Sequence, residues 1–75
     1  MDVAWRSWLM TFCEREGLDF ETAVERFSGS ETYLLAHHQF IAGASDRVVN
    51  NLLRRAAIEK GLIEGGEPSS NERGG

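Results

Sequence analysis

The chain carries a single cysteine, Cys13, in 75 residues, so it can close no intrachain disulfide. Soft metal ligands are equally scarce, because His37 and His38 are the only histidines. Neighbouring helical residues point about 100° apart, so this pair cannot share one metal from a regular helix. The i, i+4 histidine spacing of a zinc helix is missing. So are a glycine-rich phosphate loop and a nucleophile on a strand-to-helix turn. The expectation is a protein with no catalytic residue, no metal and no cofactor: not an enzyme. Cys13, one position off the nearest apolar stripe, reads as a small core residue.

Two further shortages bound the fold and the compartment. No apolar run approaches the roughly 20 residues that cross a bilayer, which points away from a membrane. Nothing alternates with period two for more than a few residues, so no strand is expected. The opening Met1-Asp2-Val3-Ala4-Trp5-Arg6 places an acid where a secretory leader is basic. With one cysteine, this makes the cytoplasm the expected location.

What is present is a small acidic protein, with 12 Asp and Glu against 8 Lys and Arg. The charge is uneven. Residues 1–44 hold three arginines against seven carboxylates, while residues 45–60 hold four cations against two. An acidic body therefore presents one locally basic helix. A chain this short buries only about 60% of its unfolded surface, so its core is marginal. With no disulfide and no metal, association with another chain is the remaining supplement.

Four helices follow from the hydrophobic spacing. Trp5, Trp8, Leu9 and Phe12 form an i, i+3, i+4, i+7 stripe over residues 2–16, with Asp2 as N-cap and Gly17 as C-terminal stop. Asp19 opens a second helix, in which Phe20, Ala23, Val24 and Phe27 repeat the stripe. Ser28 and Glu31 have capping-box spacing ahead of a third helix over residues 30–42. There Tyr33, Leu34, Leu35, Ala36, Phe40, Ile41 and Ala42 cover nearly the whole circumference. Such a helix is either central or covered by another chain. A fourth spans residues 46–60 behind Ser45, with Val48, Val49, Leu52, Leu53 and Ala56 on its apolar side and Gly61 as its stop. The expected fold is all-α, a compact bundle of three to four short helices over residues 1–63. A disordered polar tail is expected over residues 64–75.

Function is read from the residues this bundle does not need. His37 shares a side with Tyr33, Ala36 and Phe40 and reads as half-buried and hydrogen-bonded. His38 shares a face with Leu34 and Ile41 and reads as interfacial. Val3 and Met10 fall opposite the Trp5 stripe, and Ile58 falls among the polar residues of helix four. Off-face apolar residues are what a protein-binding surface leaves in a sequence. The expected partner-binding set is therefore Tyr33, Leu34, His38, Ile41, Arg54 and Ile58. The expected function is a small protein-binding module, a homodimer that regulates or inhibits by covering a surface of its partner. An adaptor, an antitoxin or a phage-encoded inhibitor all suit that description.

The alternative is a small dimeric transcriptional regulator. Arg47, Asn50, Asn51, Arg54 and Arg55 lie on the polar side of helix four, and arginine and asparagine pair with guanine and adenine edges. The junction from Cys13 to Thr22 has the helix–Gly–turn–helix shape used by DNA-binding modules, within a hairpin over residues 9–27. However, Val24 and Phe27 stand one position off the usual spacing. Glu21 and Glu25 would also face a polyanion.

Overall fold

The computed structural model describes residues 2–64; of the tail expected over 64–75, all but Glu64 lies outside them. Four helices follow one another: α1 (Val3–Glu16), α2 (Phe20–Phe27), α3 (Glu31–Ile41) and α4 (Asp46–Glu59). Among the described residues there is no strand. The chain is an all-α bundle.

Local chemistry sets the ends of the helices. The Asp2 carboxylate accepts from the Trp5 backbone N–H at 3.2 Å, and Asp19 accepts from the Thr22 N–H at 3.0 Å and its hydroxyl at 2.9 Å. Those two bonds hold the Asp19 carboxyl below its usual range. Gly17 closes α1 with φ +74°, a left-handed conformation that side chains with a Cβ rarely adopt. The Leu18 N–H then reaches back to the Cys13 carbonyl at 2.7 Å, and Leu18 packs against the core. Gly61 and Leu62 end α4 in the same way, with Leu62 N–H bonded to the Ala57 carbonyl at 2.8 Å.

One cap differs from the sequence expectation. Ser28 closes α2, its N–H donating to the Val24 and Glu25 carbonyls, and Ser30 caps α3 by accepting from the Tyr33 N–H at 3.1 Å. The Ser28–Glu31 capping box is absent because the turn through Gly29 belongs between the helices, not to α3. Ser30 is also buried, which fixes its hydroxyl in place.

The core is built mainly from α1 and α4. Trp5, Leu9, Phe12 and Cys13 meet Val49, Leu53, Ala56 and Ala57, with Ala23 and Phe27 from α2. From α3 only Ala36 is fully buried. Helix α3 pairs most extensively with α4, and α1 with α2 forms a hairpin. The Arg6 guanidinium lies 5.5 Å from the Phe20 ring centre, tying the two hairpin helices together across the outside.

Side-chain aromatics fasten α3 to the rest. Trp5 stacks on His37 at 4.8 Å between ring centres, meets Phe40 at 5.0 Å, and donates its indole N–H to the Tyr33 hydroxyl at 2.9 Å. Tyr33 in turn stacks on Phe27 of α2 at 4.9 Å. Thr32 donates to Glu59 of α4 at 2.9 Å, and Arg26 donates to the Lys60 carbonyl just past α4 at 3.1 Å. The latter places a cation at the negative end of that helix.

The two tryptophans are unequal. Trp5 is fully buried, whereas Trp8 is half-buried beside Phe40. Trp5→Ala is expected to lower unfolding free energy by about 3–5 kcal/mol, and Trp8→Ala by clearly less. Denaturant titration followed by circular dichroism reads both, and equal losses would contradict this packing. The Asp19 cap supplies an acid-side pH dependence. A depressed carboxylate contributes stability that is complete above its ordinary pKa of 3.8 and lost as pH falls through the lower folded value. Asp19→Asn, which caps without titrating, is expected to flatten the acid arm of a stability–pH curve.

Candidate functional site

The spacing of α3 decides which of its apolar residues remain outside. Tyr33, His37 and Phe40, at i, i+4 and i+7, turn toward Trp5, and Thr32 and Ala36 turn toward α4. At about 100° per residue the opposite arc is left to Leu34, Leu35, His38, Ile41 and Ala42, with Glu31 at its start. The structure agrees: Leu34 is 51% exposed, Leu35 47% and Ile41 69%, and His38 and Ala42 are exposed as well. Helix α3 is thus peripheral, not central. Its apolar circumference is divided into a face that packs and a face that does not.

The residues of the expected partner surface separate accordingly. Leu34, His38 and Ile41 lie together on the outward arc. Tyr33 does not, because its hydroxyl accepts from Trp5 and its ring stacks on Phe27. Arg54 lies on the α1 side of α4, with Nη1 3.5 Å from the Glu16 carboxylate. Ile58 is half-buried and not on an open polar face. Two residues that sequence reasoning did not place here enlarge the arc. Leu35 faces outward on its α4 edge, and Val48, 40% exposed, stands three turns before Glu59 on the side of α4 that meets α3. Val48 had been assigned to the apolar side of its helix, which is correct in direction, but α3 ends before covering it. Val3 and Met10 are exposed on α1, as their off-stripe positions imply.

The histidines also divide. His37 is half-buried and held by its stack on Trp5, where a hydrogen bond had been expected. His38 is exposed in the middle of the outward arc.

The five residues of the nucleic-acid alternative are not equally open. Asn50 turns toward α1, and Arg54 is engaged by Glu16. Arg47, Asn51, Arg54 and Arg55 are exposed, which offers three cations, one of them beside a carboxylate. Three phosphate contacts from one helix give little affinity at physiological salt. On α2, Glu21 and Glu25 are exposed.

An open cleft of about 360 Å³ separates α1 from the start of α4, lined by Ser7, Trp8, Thr11, Arg15, Asp46 and Asn50. Beneath its wall the Trp8 indole N–H and the Asn50 side-chain oxygen are both sealed from solvent, and neither has a hydrogen-bond partner. Because both atoms are sealed, they present nothing to a ligand. Each unpaired group costs about 1–3 kcal/mol. Cys13 is buried, and burial followed by the nearby Asp19 charge pushes its thiol pKa up, which suppresses the reactive thiolate. Among the described residues no three His, Cys, Asp or Glu side chains are grouped to hold a metal, and no helix is long and apolar enough to cross a membrane.

No protein-family model, curated protein or solved structure matches the chain. The site is therefore argued from its geometry. The cleft makes its own prediction. Trp8→Phe combined with Asn50→Leu removes both orphaned groups at similar volume and is expected to raise unfolding free energy by about 1 kcal/mol or more. A lower denaturation midpoint in the double variant would show that these polar groups are satisfied in solution.

Proposed function

We propose that this chain is a non-enzymatic protein-binding module that acts by occupancy: its outward α3 face covers a functional surface of a partner and so regulates or inhibits it. The observation that carries this reading is the row of Leu34, Leu35 and Ile41, each about half exposed or more on one arc. Scattered exposed apolar residues are ordinary, but a contiguous row on one helix is the composition of an interface centre. Helix-in-groove recognition uses the same i, i+3, i+4, i+7 anchors. His38 and Glu31 supply the polar element, and the acidic remainder of the surface keeps the chain from non-specific contact with nucleic acid.

The reading is tested by charging the row. Ile41→Glu lies on an exposed position, so its effect on stability is expected to stay within about 0.5 kcal/mol. Affinity for the partner recovered by affinity purification and identified by mass spectrometry is expected to fall at least tenfold. Val3→Glu, on an exposed position of α1 away from the row, is expected to leave capture unchanged. Equal capture by wild type and Ile41→Glu, with both folded by circular dichroism, would sink the proposal.

A further inference from the structure

We infer that in the free protein this face is occupied by a second copy of the chain, paired antiparallel through α3 about a two-fold axis beside His38, which the regulated partner must displace; this rests on the docking role of the face and names what covers it until then. The first argument is spacing. Leu34 and Leu35 stand four and three residues before His38, while Ile41 and Ala42 stand three and four after it. Centred on His38, an antiparallel pair sets each Leu34 against Ala42 of the second copy and each Leu35 against Ile41 of the second copy. Large then meets small at the ends of the row. A parallel pair would oppose Leu34 to Leu34 and Ala42 to Ala42, leaving one overfilled and one empty position. The antiparallel pair also aligns the helix dipoles favourably.

The second argument is charge. In a two-fold pair each patch meets its own copy, so the acidic surfaces of α1 and α2 repel themselves and so does the arginine side of α4. Among residues 31, 34, 35, 38, 41 and 42 the only carboxylate is Glu31, at one end. This arc is where like copies approach with the least repulsion.

The third argument is the polar group at the centre. A neutral imidazole carries one donor and one acceptor, so two His38 side chains meeting beside a two-fold axis can share one N–H···N bond while the remaining N–H and nitrogen turn to water. A heterologous partner would need its own matching group there. Self-complementarity of this kind is what an isologous interface requires.

Size sets the strength. Fully covered, Leu34, Leu35, His38, Ile41, Ala42 and the adjoining Val48 from two copies bury on the order of 1,000 Å² in total, the range of weak, transient interfaces. The dimer is therefore expected to dissociate in the micromolar range.

Sedimentation equilibrium and cysteine cross-linking of the full chain test the proposal together. Wild type is expected to show a monomer–dimer equilibrium in the micromolar range, and Ile41→Glu to raise its dissociation constant at least tenfold. Under mild oxidation His38→Cys is expected to link to itself. Two copies of position 34 are offset by about 12 Å along the helices, at 1.5 Å per residue. That exceeds the roughly 7 Å Cα separation a disulfide spans. Leu34→Cys is thus expected not to link alone, yet to link when mixed with Ala42→Cys. Cys13, buried, contributes no background. Self-linking of Leu34→Cys as readily as His38→Cys, or a dimer indifferent to Ile41→Glu, would overturn this arrangement. A chain that stays monomeric at hundreds of micromolar also overturns it. The docking role of the face then survives only where Ile41→Glu still abolishes partner capture, and falls with the dimer where capture is unchanged.

Discussion

The indole of Trp5 is the constraint on which the arrangement of α3 depends. Buried Trp needs an acceptor for its N–H, and here the acceptor is the Tyr33 hydroxyl at 2.9 Å. The same ring stacks on His37 and meets Phe40. Tyr33, His37 and Phe40 are one helical stripe, so a single aromatic contact from α1 chooses the inward face of α3. Because α3 is apolar on both sides, that choice also decides what faces water. Leu34, Leu35 and Ile41 are exposed not for want of hydrophobicity but because the core is already filled from the other side.

This explains what could be read from residues alone and what could not. The helix ends were legible, since Asp2, Asp19, Ser45 and the glycines at 17, 43 and 61 have the chemistry of caps and each performs it. The stripes of α1 and α2 were legible because each has one apolar face. Helix α3 was not, since periodicity cannot rank two apolar faces when it contains no information about the neighbour. Tyr33 was assigned to the surface for that reason. Trp5 and Trp8 share a stripe, and only the tertiary arrangement shows that the first is central and the second borders a cleft. The Ser28–Glu31 spacing was misleading because Ser30, two residues on, competes for the same cap.

The outward arc of α3 was half legible for a related reason. Leu34, His38 and Ile41 belong together through helical spacing within one element, which sequence reports well. Arg54 and Ile58 were joined to them across elements, and that step requires the angle at which α4 meets α3. In the fold, α4 turns Glu59 and Val48 toward α3 and Arg54 toward Glu16 of α1. Val48, which has apolar character and little cover, takes the place that had been given to the arginine.

The division of α3 has a thermodynamic consequence that links stability to association. Exposed Leu34, Leu35 and Ile41 contribute little to the isolated bundle, whose remaining core is small and drawn mainly from α1 and α4. Whatever binds the outward face of α3 binds only the folded chain, because the row stands on one side only while α3 is packed on α4 and on Trp5. Binding that is confined to the folded state adds stability by mass action, in proportion to the logarithm of ligand concentration over Kd. Loosening the Trp5 cluster would therefore weaken docking without touching a docking residue, and an occupied face would in turn protect the cluster. The aromatic contact inside and the aliphatic row outside are two sides of one helix, and it is occupancy of the row that couples their free energies.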